Sequence, residues 1–267
     1  MSAMAEPLIT LTTDFGEAGP YVAAMKGVIL SLQPRARLVD LSHVIPPQDL
    51  RHAAHFLEGC LPHFPAETIH VVVVDPGVGT DRAALCVEAA GQFLLVPDNG
   101  CWCPAVARLT SQPTVRRLAE SRFWRPEVST TFHGRDIFAP CAAYLTLGVL
   151  PSALGPEVKE WVHLQVPAAT IERGSIQGEI VFVDPFGNLV TNIPGEAFLA
   201  LAANPVQIQA GPVEVRRVVR TYGEANEGEL IALVGSDGYL EVAINRGNAA
   251  RRLELGVGDP VLVRELA

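Results

Sequence analysis

An α/β domain followed by a small all-β domain is the organisation this sequence predicts, and three observations predict it. Over residues 8–148, short apolar strands alternate with stretches of helical spacing. That alternation gives a mostly parallel sheet with helices on both faces, an α/β sandwich. The run "VVVV" at 71–74 has no polar alternation, as expected of a strand covered on both sides. After residue 150 the helical spacing gives way to short strands separated by turn signals, the pattern of a small antiparallel β-barrel. The boundary is placed near residue 168, with 1–168 as the N-terminal domain and 169–267 as the C-terminal one.

The elements follow in order. "LITLTTDFG" (8–16) reads as a strand ending in a polar turn, and "GPYVAAMKGVILSLQP" (19–34) as a helix stopped by Pro34. "ARLVDLSH" (36–43) is the second strand and "PQDLRHAAHFLEGCLPHFP" (47–65) the second helix. "TIHVVVVDPG" (68–77) is the third strand, and "ALCVEAAGQFLLVPDNG" (84–100) two short strands about a turn at Gly91. "FHGRDIFAPCAAYLTLG" (132–148) is a loop running into a helix. The strands of the second domain are drawn from "SIQGEIVFVDPFGNLVTNI", "VQIQAGPVEVRRVVRTYG", "ELIALVGSDGYLEVAINRG" and "DPVLVREL".

Composition narrows the function classes. With 49% hydrophobic and 18% charged residues in 267, the chain is expected to build a sizeable core. A net charge of -9 argues against a general nucleic-acid binder. The five cysteines are odd in number, and "CWC" at 101–103 has the wrong spacing for a CxxC pair, so ordinary reduced thiols are expected. The opening stretch "MSAMAEPLITLTTDFG" reads as carrying no signal peptide, and no run of about 20 apolar residues suggests a membrane span. A soluble cytoplasmic protein is the expectation. No HxxxH or HExxH motif is present, and His52 and His55 lack an evident third ligand, so no metal is expected.

Ligands of parallel sheets gather beyond the carboxyl ends of the strands. Asp14, Asp75 and Asp98 each stand at such an end, which suggests a site. Asp14 reads either as a turn carboxylate or as an acceptor for ligand hydroxyls. In "DPGVGTDR", Asp75 either accepts turn amides with Arg82 as a surface partner, or the two form a poorly hydrated pair that polarises a water molecule. The stretch lacks the lysine and glycine spacing of a phosphate-binding loop. "FHGRDIF" brings His133, Arg135 and Asp136 to the mouth of a helix, where His133 either packs or completes an Asp, Arg and His set. "DPFGNLVTNI" (184–193) is a turn signal that also offers Phe186, Asn188 and Asn192, an aromatic face and amides suited to a purine. "GSDGYLEVAINRGNAA" (235–250) adds Ser236, Tyr239, Asn245, Arg246 and Gly247.

"LTTDFG", "VVDPGVGT.R", "PDNG", "FHGRDIFAP", "D.FGNLVTNI" and "GYLEVAINRGNA" occur in this order from about residue 8 to 264. Together they resemble the S-adenosyl-L-methionine hydroxide adenosyltransferase family, the adenosine-forming S-adenosyl-L-methionine hydrolases, which are relatives of the fluorinases and chlorinases. The resemblance implies hydrolysis of S-adenosyl-L-methionine to adenosine and L-methionine by activated water at C5′, with no cofactor. It implies that Asp75, Arg82 and His133 handle the water and that Asp14 binds the ribose diol. Phe186 and Asn188 would line the adenosine site, Asp184 would meet the methionine amino group, and Ser236, Asn245 and Gly247 would close the ends. It also implies a homotrimer with each active site between the N-terminal domain of one subunit and the C-terminal domain of its neighbour. The halogenating relatives carry an extra loop and lack the triad. Residues 99–131 leave little room for that loop here, which favours water over halide. A binding protein without turnover would keep Asp14, Phe186 and Asn188 but not the triad. The glycine loop of the usual methyltransferases is absent.

Overall fold

The computed structural model of the protein describes residues 6–266. Residues 1–5, part of the stretch read as lacking a signal peptide, lie outside them. The chain divides into two compact units, Met1–Leu164 and Gln165–Ala267.

The first unit holds strands β1 (Leu8–Thr13), β2 (Arg37–Ser42), β3 (Ile69–Val73), β4 (Ala84–Ala89), β5 (Gln92–Pro97) and β6 (Thr114–Arg117). Its helices are α1 (Tyr21–Leu32), α2 (Leu50–Cys60), α3 (Cys103–Leu109), α4 (Ala139–Thr146) and the short α5 (Pro151–Leu154). The strand order is β2-β1-β3-β5-β4-β6. The first four strands in that order are parallel, while β4 pairs antiparallel with both β5 and β6. The β4–β5 hairpin turns through Ala90 and Gly91, both at positive φ (50° and 78°), as a two-residue turn matched to strand twist requires.

The valine run shows why the sheet must be covered on both faces. Val71 and Val73 join Ile9, Leu11, Met25, Ile29 and Ala142 in one core. Val72 and Val74 point the other way and join Ala53, Leu57 and Ala105 in a second. All four valines are 3% exposed or less, and burying each contributes about 1.5–3 kcal/mol of transfer free energy. Helices α1 and α4 thus cover one face, and α2 and α3 the other. Helix α3 was not expected from sequence. It spans seven residues, too few for a periodic signal, and opens with Pro104 in its first turn. The five cysteines are free thiols, and burial pushes the Cys101 thiol up to about 12.

The second unit is a nearly closed, antiparallel barrel-like sheet. Its strands are β7 (Thr170–Glu172), β8 (Ser175–Val183), β9 (Leu189–Pro194), β10 (Val206–Ala210), β11 (Val213–Val215), β12 (Leu230–Val234), β13 (Tyr239–Ile244) and β14 (Pro260–Glu265). The order is β11-β10-β14-β8-β9-β13-β12, with β7 paired to β8. Besides β7, strand β8 serves two neighbours: Ser175–Glu179 pair with β14, and the residues beyond pair with β9. Helices α6 (Gly195–Leu201) and α7 (Ala249–Leu253), too short to register in the sequence pattern, close the barrel's core with Phe198 and Ala249. Among the described residues, no helix is long and apolar enough to cross a membrane.

One polar cluster sits inside the first unit. His70 on β3 is fully buried, facing Thr10 Oγ1 at 2.7 Å through Nδ1 and Gln92 Oε1 at 3.2 Å through Nε2. Gln92 in turn donates to the carbonyls of Leu61 and Phe64. Since Gln92 Oε1 only accepts, Nε2 carries the proton and Nδ1 accepts from the Thr10 hydroxyl, which fixes a neutral imidazole. Burial pushes the His70 pKa down from 6.5 to about 4, against the weaker pull of the Gln92 bond. The unfolded chain therefore takes up this proton first as pH falls. Stability should be intact above about pH 6.5 and decline toward pH 4, by roughly 3 kcal/mol from this group. Denaturant unfolding at stepped pH checks it: His70→Gln should lose this slope, whatever its stability at neutral pH.

Candidate active site

The loop after β3 explains why an arginine follows a strand-terminal carboxylate. Residues 75–82 turn back on themselves, with Val78 N donating to Asp75 O and Thr80 N to Gly77 O. The chain's return lays Arg82 against Asp75. Nε reaches the carboxylate oxygens at 2.9 and 3.1 Å, and Nη2 also donates to Asp75 Oδ2. The Asp75 side chain is 4% exposed and that of Arg82 10%, so the pair is held nearly dry. The guanidinium lies 5.6 Å from the centroid of the buried Phe138 ring.

Arg82 has a second partner. Nη2 lies 2.8 Å from His133 Nδ1. A guanidinium has no acceptor, so Nδ1 must offer a lone pair and the neutral imidazole keeps its proton on Nε2. Burial first, and Arg82 second, lower the His133 pKa below the ordinary histidine value, while Asp75 and Asp136 pull the other way. The result is a carboxylate, a guanidinium and a neutral imidazole in one line, Asp75 to Arg82 to His133. Chemically, it presents N–H donors that favour a hydroxide-like oxygen over water.

His133 is placed by the segment around it. It precedes a π-helical turn, Gly134–Phe138, that leads into α4; such turns are frequent at functional sites. Asp136 in this turn is fully buried and does not face Arg82. Its carboxylate accepts from Arg125 (3.0 Å), Arg135 (2.7 and 2.8 Å) and Ser129 N (2.9 Å). Burial alone would raise its pKa, but these bonds lower it. Arg135 and Asp136 therefore fold the 125–136 loop, while His133 and Phe138 are the residues of "FHGRDIF" that meet Arg82. Gly79 ties the two loops together. It has φ +81°, and a Cβ there would stand 2.4 Å from the Thr130 carbonyl oxygen.

Asp14 follows β1 directly, where Thr13 is in register with Val73. Its Oδ2 accepts the amide of Gln48 at 2.8 Å, which leaves Oδ1 for another donor. Gln48 holds a positive φ of 65° to aim that amide. Asp98 is different. Its Oδ1 accepts Val162 N at 2.8 Å, and neighbouring Asn99 donates to Val74 O. The "PDNG" carboxylate thus fastens Val162 to the sheet end through Oδ1.

In the barrel unit, Asp184, Phe186, Asn188, Ser236, Asn245 and Gly247 all line one cavity of about 730 Å³. The "DPFGN" turn is locked from within. Asp184 Oδ1 accepts the amides of Phe186 (2.9 Å) and Asn188 (2.8 Å), and Oδ2 accepts Asn188 Nδ2 (2.8 Å). Phe186 is left 76% exposed. Gly187 carries φ +84°, and a Cβ there would collide with Asn248, the N-cap of α7, at 2.1 Å. Two separate motifs, "FGN" and "NRGNA", are thereby one structural piece. The cavity also takes in Tyr222 and Glu241, which sequence reasoning missed. The signal for Glu241 was present: one acid in the middle of the apolar strand "YLEVAI". Tyr222 carried none.

The first unit thus holds an arginine-bridged Asp75 and half-buried His133 at its strand ends, and the barrel unit holds a cavity of about 730 Å³. The comparisons with known proteins name the family. Residues 9–155 match the SAM hydroxide adenosyltransferase N-terminal domain, and residues 178–262 match the C-terminal domain of the same family. The chain belongs to this family. It is 43% identical over 257 residues to a protein of Thermus thermophilus named (R)-S-adenosyl-L-methionine hydrolase, covering 93% of this chain and 96% of the relative. A fluorinase of an Actinoplanes species is more distant, at 24% identity over 98% of this chain and 99% of its own. The crystal structure of an uncharacterized conserved protein from Thermotoga maritima superposes with a TM-score of 0.90 at 33% identity, over 96% of this chain and 100% of that one.

Gly79→Ala tests the coupling of the two loops. An alanine at this φ costs about 1–2 kcal/mol before the clash with Thr130 is counted. The melting temperature should fall, and the Arg82–His133 contact should open. His133, read by its imidazole proton resonances, should then titrate closer to about 6.5 than in the wild type.

Proposed function

We propose that the protein hydrolyses S-adenosyl-L-methionine to adenosine and L-methionine, using a water-derived hydroxide held by Asp75, Arg82 and His133. The Arg82 bridge between the Asp75 carboxylate and the His133 lone pair carries this reading. An oxygen–C5′ bond forms as the C5′–S bond breaks, the electron pair leaves on sulfur as the neutral thioether of methionine, and the proton shed by the attacking water passes to solvent, since the His133 Nδ1 lone pair is taken by Arg82. The sulfonium is already a good leaving group, so no acid, metal or cofactor is called for on that side. The difficulty lies with the nucleophile, which must be desolvated and aligned. With Nδ1 occupied by Arg82, His133 offers Nε2–H as a donor. Arg82 and His133 together stabilise hydroxide, and Asp75 balances the guanidinium charge. Asp14 is the acceptor for the ribose hydroxyls, with Oδ1 free beside the Gln48 amide. Phe186 stacks on the adenine and Asn188 supports it, while Ser236, Asn245 and Gly247 line the rest of that cavity.

The relatives' name specifies the R configuration at sulfur, and we extend that preference to this chain. The active assembly in this reading is a cyclic homotrimer, in which the N-terminal domain of one subunit meets the C-terminal domain of the next. The domain boundary is placed near residue 168.

Incubation with each sulfonium epimer of S-adenosyl-L-methionine, followed by chromatography, tests the reading. Adenosine and methionine should appear in equal amounts, faster from the R epimer, and added chloride should give no 5′-chloroadenosine. Single-turnover rates should fall as pH drops through the lowered His133 pKa, because imidazolium repels Arg82 and breaks the bridge. His133→Ala should cut turnover by about 100-fold or more while substrate still binds. Asp14→Ala should instead weaken binding by about tenfold or more, the loss of a hydrogen bond to a charged group. A His133→Ala protein that turns over normally would sink the assignment.

A further inference from the structure

We infer that Glu241, rather than Asp184, takes the ammonium group of the substrate's amino-acid end in the barrel cavity. This rests on the reading of the ligand as S-adenosyl-L-methionine. Glu241 lies in register with Val190 of β9 and Leu233 of β12, and all three line the cavity. A carboxyl group therefore stands in the middle of an apolar sheet face, 6% exposed. Its Oε1 meets the Tyr222 hydroxyl at 2.5 Å. No other hydrogen bond to the Glu241 side chain forms among the described residues, although a carboxylate accepts about four. A buried carboxyl with one partner is costly to keep unless something else meets it.

Asp184 is in the opposite condition. Three donors from its own turn occupy its oxygens, two on Oδ1 and one on Oδ2. Its charge is engaged in holding Phe186 and Asn188 in place. Asp184 and Asp237 also line the cavity and, after burial, help hold the Glu241 pKa above the ordinary carboxyl value, with the Tyr222 bond opposing them. Two cationic side chains line the cavity, Arg220 and Arg246; both are exposed, Arg246 engages Glu227, and neither forms an ion pair with Glu241 among the described residues. The inner wall thus lacks a positive charge that a substrate ammonium group would supply, and Glu241 Oε2 is the oxygen left to receive it. Tyr222 acts as a positioning residue that fixes the carboxyl through Oε1.

Two unreactive thioethers separate the ends of the substrate. S-Adenosyl-L-homocysteine carries the ammonium group, and 5′-methylthioadenosine keeps the nucleoside without the amino-acid end. Calorimetric titration of the full-length protein should show Glu241→Gln weakening S-adenosyl-L-homocysteine by about tenfold or more. Binding of 5′-methylthioadenosine should change less than about twofold, within the error of such differences. Tyr222→Phe should retain most of the preference for the longer ligand. If Glu241→Gln does not fold, Glu241→Met, of similar length and without charge, takes its place. Equal losses for both ligands would show that Glu241 reads the nucleoside, and no loss for either would show that it reads nothing; each overturns the inference. A wild-type protein that binds neither ligand would instead overturn the reading of the substrate.

Discussion

The guanidinium of Arg82 holds the first unit's chemistry together. It is clamped by both oxygens of Asp75, lies against the Phe138 ring, and spends a remaining N–H on His133. Each partner comes from a different part of the chain: the end of β3, the π-helical turn before α4, and the segment that enters it. Arginine is suited to the task because its planar fork binds a carboxylate and a third group at once without losing its charge. A lysine would supply one point charge and could not define the line. The bridge also sets the state of the imidazole, since a group that receives a guanidinium N–H on Nδ1 stays neutral. Burial alone would leave an unpaired arginine or aspartate at severe cost, so removing either partner should disturb the other more than the pair itself contributes.

The barrel unit uses a different device. Its cavity-lining residues are set by turns that satisfy themselves. Asp184 folds back on its own amides, Gly187 admits Asn248, and Asn248 caps α7. The exposure of Phe186 follows from this locking: the turn presents the ring outward and does not let it collapse into the core. A rigid aromatic face and a partly satisfied acid are then available together on one wall. Rigid presentation lowers the ordering cost of binding, the usual advantage of preorganised sites.

Much of this was legible in the residues. The unbroken "VVVV" run marked a strand covered on both faces, and "DPGVGTDR" marked a turn that returns an arginine to an aspartate. The motifs at 184–193 and 235–250 marked residues that line one cavity. What was not legible depended on tertiary context. Helices α3, α6 and α7 are too short to show periodicity. The sheet is mostly parallel and the β4–β5 hairpin was read from the turn at Gly91, but β6, four residues long and paired antiparallel with β4, gave no strand signal. The partner of Asp98, the Val162 amide 64 residues away in sequence, could not be read from its own motif. Asp136 does act on His133 through its charge, but its hydrogen bonds go to two arginines and an amide within its own loop, which the motif did not reveal. Glu241 was hidden by its strand, since a lone acid among apolar residues gains meaning only when the cavity beside it is seen.

If the arginine bridge holds a water-derived nucleophile against C5′, the oxygen of the new bond must come from solvent. The direct measurement is a single turnover of S-adenosyl-L-methionine in ¹⁸O-labelled water, with mass analysis of both products. The account predicts one ¹⁸O in the 5′-hydroxyl of adenosine and none in methionine. Unlabelled adenosine, or 5′-methylthioadenosine with labelled homoserine, would contradict it by placing the attack elsewhere or taking the oxygen from another source.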